Sequence, residues 1–324
     1  MSEKYTHQRF LSMALDPIHV GTGGYRLGSV DNSIVREPGT NLPKIPGSSL
    51  LGVARSYAAM RYGKPEAAGR HKKFKGDKNR CPIIYTFGTS TETGGGKAGS
   101  INISDAQILF FPVYSMAGPV WVSTREILEE AGFLVNSLTT GDDSAYTNLK
   151  WKKEDLNLGW LMLNIKPGLN ITTPDSIKGK KEWNAVANRI VLVSPKLFSQ
   201  IVNSNLEVRT SVAIDPETGA AEDKALFTYE ALPRTTWLWF DVVEDDYLRK
   251  FKPTSKQFKR GNGDNFEENA GDPLEEQWNT PLDVARAGLK LIEYLGVGGM
   301  GTRGFGRMKL TGDWEVDGGL PNEP

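Results

Sequence analysis

The chain has 324 residues, which suffices for one elaborated domain or two small ones. Its 39% hydrophobic and 24% charged residues are typical of a soluble globular protein. The 39 basic and 39 acidic residues cancel, which excludes a histone-like protein whose whole surface is basic. No apolar run approaches the roughly 18 residues of a membrane span, and the single cysteine, Cys81, excludes an internal disulfide framework. We therefore expect a cytoplasmic protein that does not enter a membrane.

The N-terminal part of the chain predicts a strand, a turn-rich exit and a helix. Residues 9–16 alternate well enough between apolar and polar side chains for a first strand, and residues 17–24 follow as the exit. A helix is expected from Ser48, which follows Pro46 and Gly47 at a natural N-cap position. Its apolar residues recur at helical spacing, at Leu50, Val53, Ala54, Tyr57 and Met60.

Residues 64–104 are rich in glycine, lysine and serine, and we interpret them as an insertion that is partly disordered. The insertion contains a basic run in which Asp77 is the one acid. This run is either a solvated loop or a local basic patch, and the two interpretations are equally favoured. Its basic residues are Arg70, Lys72, Lys73, Lys75, Lys78 and Arg80.

The rest of the chain alternates between strands and short helices. Residues 208–219 and 225–230 are joined through turn residues and predict a projecting β-hairpin. This mixture of strands and helices, with long insertions, favours an α+β sheet domain over a doubly wound enzyme. The other expected elements are a strand over 104–114, a short helix over 124–132, strands over 189–194 and 235–243, a helix over 282–295 and a strand over 306–310.

Between the last helix and the final strand lies a glycine-rich loop, which formally contains the G-x-G-x-x-G pattern at residues 296–301. A dinucleotide-binding loop leaves a strand and opens a helix, whereas this loop leaves a helix. Six glycines within residues 296–306 are more than a tight connection requires. We therefore favour a loop whose backbone N–H groups approach a phosphate or a base closely. Arg303 and Arg307 would serve as charged donors beside it.

A second candidate contact is the helix start within residues 43–55. Ser48 and Ser49 open this helix, and a helix N-terminus is a site where anions bind readily. Arg55, two turns further on, would add positive charge. The alternative interpretation is a plain capped helix without a ligand.

Together these segments resemble the RAMP superfamily of CRISPR-associated proteins. The family's His-Ile/Val-Gly stretch is matched at residues 19–21, and its Ile-Pro-Gly-Ser-Ser-Leu-Lys-Gly helix start at residues 45–52. The glycine-rich loop near the C-terminus completes the pattern. Residues 27–36 are similar to the segment of type III backbone subunits that carries their catalytic aspartate. Residues 111–121 and 225–233 resemble the Cmr (type III-B) version more than the Csm (type III-A) version.

This resemblance implies a single domain, residues 1–324, with an RRM/ferredoxin-like palm. The insertion at residues 64–104 would form a finger, and the hairpin at residues 205–232 a thumb. Copies of the chain would stack in a filament along a guide RNA (crRNA), together with other type III subunits that include a large polymerase-like subunit. Each thumb would wedge between guide–target segments and flip out a base.

The resemblance also implies that complementary target RNA is cleaved at regular intervals by metal-dependent transesterification. Asp31 is then the catalytic residue, which either holds hydrated Mg²⁺ (or another divalent cation) or takes the 2′-OH proton. In the alternative interpretation Asp31 only caps a turn. Glu230, as an acid or metal partner, is a further candidate. His19 is another, as a donor to the leaving oxygen, although its position after Pro-Ile favours a structural or RNA-contacting role. The expected RNA-binding residues are Ser48, Ser49, Arg55, Arg234, Gly298, Gly299, Gly301, Thr302, Arg303 and Arg307.

Two departures from the family pattern are visible. Leu51 stands where the family usually has a lysine, so Arg55 or the basic run would supply the missing charge. With Cys81, His7, His19 and His71 as the only cysteine and histidines, no four-ligand set for the zinc site that some relatives carry can be assembled locally in the insertion. Two other functions remain open, namely a binding-only RAMP scaffold without nuclease activity and a guide-precursor processing endoribonuclease.

Overall fold

We describe the fold from a computed structural model of the chain. It covers residues 5–23, 30–69, 74, 80–89, 96–214, 216–260, 266–267 and 272–316. Most of the predicted basic run, from Arg70 to Lys78, lies outside these described residues, as do residues 27–29 of the segment around Asp31.

The described elements comprise strands, helices and two 3-10 turns. The strands are β1 (Thr6–Ala14), β2 (Ile101–Ile103), β3 (Gln107–Val113), β4 (Val120–Ser123), β5 (Leu134–Val135), β6 (Ser144–Thr147), β7 (Asp155–Leu158), β8 (Leu161–Pro167), β9 (Ile171–Thr172), β10 (Ile190–Leu192), β11 (Glu207–Ile214), β12 (Ala221–Ala231), β13 (Trp237–Glu244), β14 (Thr254–Lys256), β15 (Lys259–Arg260), β16 (Phe266–Glu267), β17 (Pro273–Trp278) and β18 (Met308–Glu315). The helices are α1 (Gly47–Arg61), α2 (Pro82–Phe87), α3 (Arg125–Glu130), α4 (Lys181–Val186), α5 (Pro195–Ser204), α6 (Pro281–Lys290) and α7 (Ile292–Leu295). The 3-10 turns are Pro65–Ala68 and Gly301–Arg303.

A ten-stranded mixed sheet organises the chain, in the order β18-β1-β13-β3-β4-β10-β6-β8-β7, with β2 paired to β13. Two of its pairs, β4 with β10 and β6 with β8, are parallel, and the other pairs are antiparallel. The α+β fold class is thereby confirmed, and so are the strands expected near the N-terminus, in the middle and after the glycine-rich loop.

Alternate side chains on the central strands pack into two hydrophobic cores, one on each face of the sheet. On β1, Phe10 belongs to one core, where its ring stacks on Phe240 of β13 at 5.5 Å, while Leu11 belongs to the other. This is the period-2 pattern that strands buried on both faces require. Helices α1, α5 and α6 cover the first face, and α3 and α4 the second.

The start of α1 differs in detail from the prediction. Ser48 is not the N-cap, because the helix already begins at Gly47 and Pro46 occupies the cap position without a side-chain hydrogen bond. The Gly47 N–H instead donates to the carboxylate of Asp105, 2.7 Å away, which comes from a segment distant in sequence. The Ser48 side chain is exposed. Tertiary contact therefore replaces the local cap that the sequence predicted.

Part of the predicted insertion is folded into the core. Helix α2 is buried along its whole length, and Ile83 and Ile84 are completely inaccessible to solvent. Other portions of residues 64–104 lie outside the described residues, so the finger remains a prediction. Among the described residues, no helix combines the length and the apolar character that a membrane span needs.

The predicted hairpin is confirmed as β11 and β12, with Thr210 opposite Thr228 and Val212 opposite Leu226. It forms a two-stranded sheet of its own outside the ten-stranded sheet. Ile18 and Leu232 exchange both main-chain hydrogen bonds at 2.9 Å, which fixes the root of the hairpin to the exit of β1. The hairpin therefore projects from a rigid base.

Candidate functional site

The outer edge of β12 brings together segments that are far apart in the sequence. The Asn32 N–H donates to the carbonyl of Thr228 at 3.0 Å, and the Glu230 N–H donates to the carbonyl of Asn32 at 3.0 Å. Two residues further along the same edge, Leu232 pairs with Ile18. The segment around Asp31 and the stretch that contains His19 are thus aligned on one strand of the hairpin.

Asp31 is exposed and is held by a single residue of β12. Its Oδ2 accepts hydrogen bonds from the Thr228 N–H and from the Thr228 hydroxyl, each at 2.8 Å. The Asp31 N–H donates back to the same hydroxyl at 2.9 Å. The main-chain N–H of Thr228, and then its hydroxyl, lower the pKa of the Asp31 carboxyl, because both stabilise the ionised form. Asp31 is therefore an oriented carboxylate at the protein surface.

The His19 ring is bound to β12 at Glu230, two residues beyond Thr228, and 6% of the surface of His19 is exposed. Its Nδ1 is 2.7 Å from the carbonyl oxygen of Glu230, and because a carbonyl can only accept, Nδ1 carries the proton. The ring stands edge-on to Tyr229, with 5.6 Å between centroids. A Cβ at Gly21 would come within 3.1 Å of Nε2, so glycine keeps the second nitrogen approachable.

The glycine-rich loop packs directly against His19. The Gly299 N–H donates to the His19 carbonyl at 2.9 Å. Gly298 has a φ of +84°, and a Cβ at this position would lie 2.3 Å from the same carbonyl oxygen, so only glycine fits here. Beside this contact lies an open groove of about 490 Å³, lined by His19, Gly21, Thr22, Gly23, Asn32, Ser33 and Gly299.

The predicted arginines of this region differ in how firmly they are held. Arg303 is exposed and donates from Nη1 to the hydroxyl of Ser211 on β11, at 2.9 Å. Arg307 forms a two-pronged ion pair with Asp16, at 2.5 and 3.2 Å, and its hydrogen bond lowers the pKa of the Asp16 carboxyl. Arg303 is thus the cation with fewer competing contacts at the loop.

Near the hairpin root, Arg234 is exposed and donates from Nε to the carbonyl of Leu15 at 2.7 Å, and its charge helps to lower the pKa of the Asp16 carboxyl. Arg209 was not among the predicted site residues, and its guanidinium lies 4.8 Å from the ring centroid of Phe305 at the end of the loop. Alternation along β11 places Arg209 on the same hairpin face as Ser211, which the contact to Arg303 identifies as the face toward the loop. The alternation was a usable signal, but the sequence did not say which face meets the loop.

At the start of α1, groups that were predicted to contact RNA are engaged by other parts of the protein. The Asp105 carboxylate already occupies its N-terminus and pairs with Lys44 at 2.6 Å, so the protein supplies its own anion there. The Arg55 guanidinium donates to the carbonyls of Ala67, at 3.2 Å, and Gly88, at 2.8 Å, which makes it a structural bridge to the neighbouring segment. RNA contact by Ser48, by the half-buried Ser49 and by Arg55 stays a prediction.

Glu230 also has a different role from the predicted acid or metal partner. Its Oε1 is 2.5 Å from Nη2 of Arg36, and its Oε2 accepts from the Ile34 N–H at 3.1 Å. Because both oxygens are engaged and the residue is 9% exposed, the carboxylate is not presented to a ligand. Glu230 instead ties the segment after Asp31 to β12.

The donor set at Asp31 limits the kind of metal site that is possible. Within the part of the chain that the structure describes, no three His, Cys, Asp or Glu side chains cluster as a metal-binding group. An exposed carboxylate with one oxygen bound to Thr228 fits hydrated Mg²⁺, which usually keeps several waters and binds through one or two carboxylates and substrate phosphates. It does not fit a site made only of protein ligands.

Comparison with known proteins places this geometry in a family. The model of the RAMP superfamily matches residues 13–309. The endoribonuclease Cmr4 of the Cmr CRISPR system of Pyrococcus furiosus is 28% identical over 249 residues, which is 71% of this chain and 78% of that protein. The endoribonuclease Csm3 of Enterococcus italicus is 34% identical over 94 residues, 28% of this chain and 41% of that protein.

Solved structures agree at the level of the fold. A type III-B Cmr-beta complex in its apo state contains a chain with a TM-score of 0.62 and 15% identity, and the match covers 97% of this chain and 98% of that one. Oligomeric Cmr4 from Pyrococcus furiosus gives a TM-score of 0.55 with 20% identity, over 96% of this chain and 98% of that one. The resemblance to the Cmr version is confirmed, and the chain belongs to the RAMP superfamily.

Proposed function

We propose that the chain is a guide-RNA-binding subunit of a type III CRISPR effector complex and that it cleaves target RNA paired with the guide. The observation that carries this proposal is the convergence of Asp31 and His19 on strand β12, with the glycine-rich loop packed on His19. The similarity to the endoribonuclease Cmr4 supports it. Its partners are then guide and target RNA, further copies of the chain in a filament, and other type III subunits that include a large polymerase-like one.

The guide backbone would lie along the glycine-rich loop. Gly301 and Thr302 are exposed there, so main-chain N–H groups and a hydroxyl can approach phosphate oxygens closely, while Gly299 anchors the loop to His19. Arg303 and Arg234 flank the loop as exposed cations.

The ten-stranded sheet would be the RRM/ferredoxin-like palm, and hairpin β11–β12 the thumb that separates guide–target segments. Flipping a base out of the stack costs a few kcal/mol, and it would leave one target phosphodiester free of helical geometry. Because Asp31 is bound to the thumb strand itself, the displaced phosphodiester and the carboxylate would meet at the same place.

The reaction that suits this site is transesterification within the target RNA. The ribose 2′-oxygen attacks the adjacent phosphorus, the bond from phosphorus to the 5′-oxygen breaks, and the products are a 2′,3′-cyclic phosphate and a 5′-hydroxyl. The Asp31 carboxylate, ionised through its bonds to Thr228, is suited to take the 2′-OH proton. The Nε2 of His19 faces the groove and, when protonated, would give a proton to the leaving oxygen.

In the alternative role of Asp31, a divalent cation, Mg²⁺ by the chemistry of its donors, would bind through Oδ1 in place of the 2′-OH proton, together with water and target phosphate. When bound, it would supply charge stabilisation to the phosphate oxygens. The protein's part is to orient that oxygen.

The test uses the complex reconstituted on guide RNA, with Asp31→Ala compared with the wild type. We expect the variant to assemble on guide RNA as well as the wild type and to cleave complementary target RNA at least about 100-fold more slowly. A 2′-deoxy nucleotide at the cleaved position should block the wild type. Cleavage by Asp31→Ala at the wild-type rate would show that Asp31 is not catalytic, and a wild-type complex that binds target RNA without cleaving it would identify a binding-only scaffold. Cleavage of a repeat hairpin by the isolated protein would identify a guide-precursor processing nuclease.

A further inference from the structure

Thr228 is the residue through which the hairpin holds Asp31. Its N–H and its hydroxyl both donate to Oδ2 of Asp31, each at 2.8 Å, and its hydroxyl oxygen accepts from the Asp31 N–H at 2.9 Å. A hydroxyl has one proton to donate and two lone pairs with which to accept. Here it donates and accepts toward the same residue, so both groups are fixed in orientation.

The result is a carboxylate with two unlike oxygens. Oδ2 accepts from two donors of Thr228, and no other described residue beyond Asp31 itself donates to the carboxylate. Rotation of the carboxylate would break both bonds to Oδ2 at once. Asp31 is exposed and lies in a connecting segment, where an unsupported side chain would sample several rotamers. The hairpin therefore presents one oxygen in one direction.

The same strand edge also sets where His19 stands. Asp31 is bound at Thr228, and the His19 ring is bound at the carbonyl of Glu230, two residues further along β12. At about 3.3 Å per residue, these two anchor points are roughly 7 Å apart. A strand within a hairpin is stiffer than a loop, so β12 holds the two groups at a constant separation.

We infer that Thr228 is a positioning residue for the proposed cleavage, which aims Oδ1 of Asp31 through its hydroxyl and its N–H. This inference rests on the proposed function and deepens it. Thr228 acts only through Asp31. The Glu230 carboxylate cannot replace that of Asp31, because Arg36 and the Ile34 N–H engage its two oxygens.

The experiment compares three variants within the reconstituted guide-RNA complex. Thr228→Val keeps the β-branched shape and the strand preference but removes the hydroxyl. Thr228→Ser keeps the hydroxyl and removes only a methyl group. Thr210→Val is the matched control, since Thr210 lies directly opposite Thr228 on the hairpin, is exposed, and makes no hydrogen bond through its side chain among the described residues.

For Thr228→Val we expect the maximal cleavage rate to fall by about 10- to 100-fold, which is the cost of a misplaced catalytic group. The target concentration for half-maximal rate, the affinity for guide RNA and the melting temperature should stay at their wild-type values. Thr228→Ser should recover the rate to within about threefold, and Thr210→Val should not change it. Independently of cleavage, hydrogen exchange of the Asp31 amide should accelerate in Thr228→Val but not in Thr228→Ser.

Wild-type cleavage by Thr228→Val, or failure of Thr228→Ser to recover the rate, would overturn the inference. So would a loss of guide RNA binding or of folding in Thr228→Val with no separate effect on the rate, because that pattern indicates a purely structural residue. The proposed function fails on a different result, which is wild-type cleavage by Asp31→Ala.

Discussion

Arg36 and Glu230 form an ion pair beneath the root of the hairpin, with 2.5 Å between Nη2 and Oε1. Their side chains are only 14% and 11% exposed. The second oxygen of Glu230 binds the Ile34 N–H, and Arg36 also donates to the side chain of Asn203 on α5. The pair thus joins three parts of the chain, namely the segment after Asp31, strand β12 and helix α5.

Replacement of Glu230 by Gln should therefore act on stability before it acts on catalysis. It leaves the Arg36 charge buried without its counter-charge, for which we expect a loss of about 3 kcal/mol in the free energy of unfolding. Denaturant unfolding measures this loss. Glu37→Gln is the control, because its pair with Lys44 is 48% exposed on the glutamate side and should change stability by less than about 1 kcal/mol. Unchanged stability with abolished cleavage would restore Glu230 as a catalytic acid.

Asp241 should make the fold sensitive to acid. Burial raises the pKa of its carboxyl, but the hydrogen bond and charge of Arg9, together with His7, outweigh burial and hold the pKa below its ordinary value. A carboxyl with a lowered pKa in the folded state contributes stability above its unfolded pKa of about 3.9, and the contribution is lost as pH falls through the folded value.

We accordingly expect the unfolding free energy of the wild type to decline below about pH 5, and that of Asp241→Asn to be lower at pH 7 and flatter in this range. Measurement of the denaturant midpoints of both proteins between pH 3 and pH 7 tests this pH dependence. Asp142→Asn should leave the profile nearly parallel to the wild type, since the pair of Asp142 with Lys196 is exposed and screened by water. Parallel profiles for Asp241→Asn and the wild type would show that the Asp241 carboxyl does not cause the loss of stability in acid.

Alanine substitutions at Gly298 and Gly304 distinguish the effect of a steric clash from the effect of backbone strain in the glycine-rich loop. Both have positive φ, at +84° and +79°, but a Cβ at Gly298 would clash with the His19 carbonyl, whereas at Gly304 nothing lies within 4 Å. Gly304→Ala should therefore cost about 1 kcal/mol of strain alone. Gly298→Ala should in addition lift the loop off His19 and weaken guide RNA binding by about tenfold or more, equivalent to about 1.4 kcal/mol. Equal guide RNA affinities for the two variants would show that the packing on His19 is irrelevant to binding.

Arg303 and Arg307 should differ in their effect on the salt dependence of guide RNA binding. Arg303 makes one neutral hydrogen bond to Ser211, whereas Arg307 is committed to Asp16 at both prongs. Arg303→Gln should reduce the slope of log affinity against log salt by about 0.7, the value for one lost phosphate contact on a single strand. Arg307→Gln should change it less. Arg125→Gln on α3 serves as the charge-matched control. A larger change for Arg307→Gln would mean that its pair with Asp16 opens on binding.

Much of the secondary structure was predictable because short-range rules govern it. The alternation of residues 9–16 predicted β1, and turn residues between two apolar runs predicted the hairpin, since both signals are local. The cap of α1 was not predictable in this way. A cap residue was expected next to the helix, yet the group that serves the first N–H is Asp105, which the sheet brings into place.

The amino-acid sequence by itself determined the α+β class and the glycine-rich loop, because composition, periodicity and motif are properties of neighbouring residues. Its resemblance to the RAMP superfamily marked Asp31 and His19. Only the tertiary structure decided how they combine. It bound Asp31 to Thr228 and His19 to Glu230 on one strand, and seated Gly299 on His19. It also turned Glu230 and Arg55 into internal supports. The reason is physical: hydrogen bonds between segments about 200 residues apart depend on the pairing of β12 with its neighbours, which no local pattern specifies.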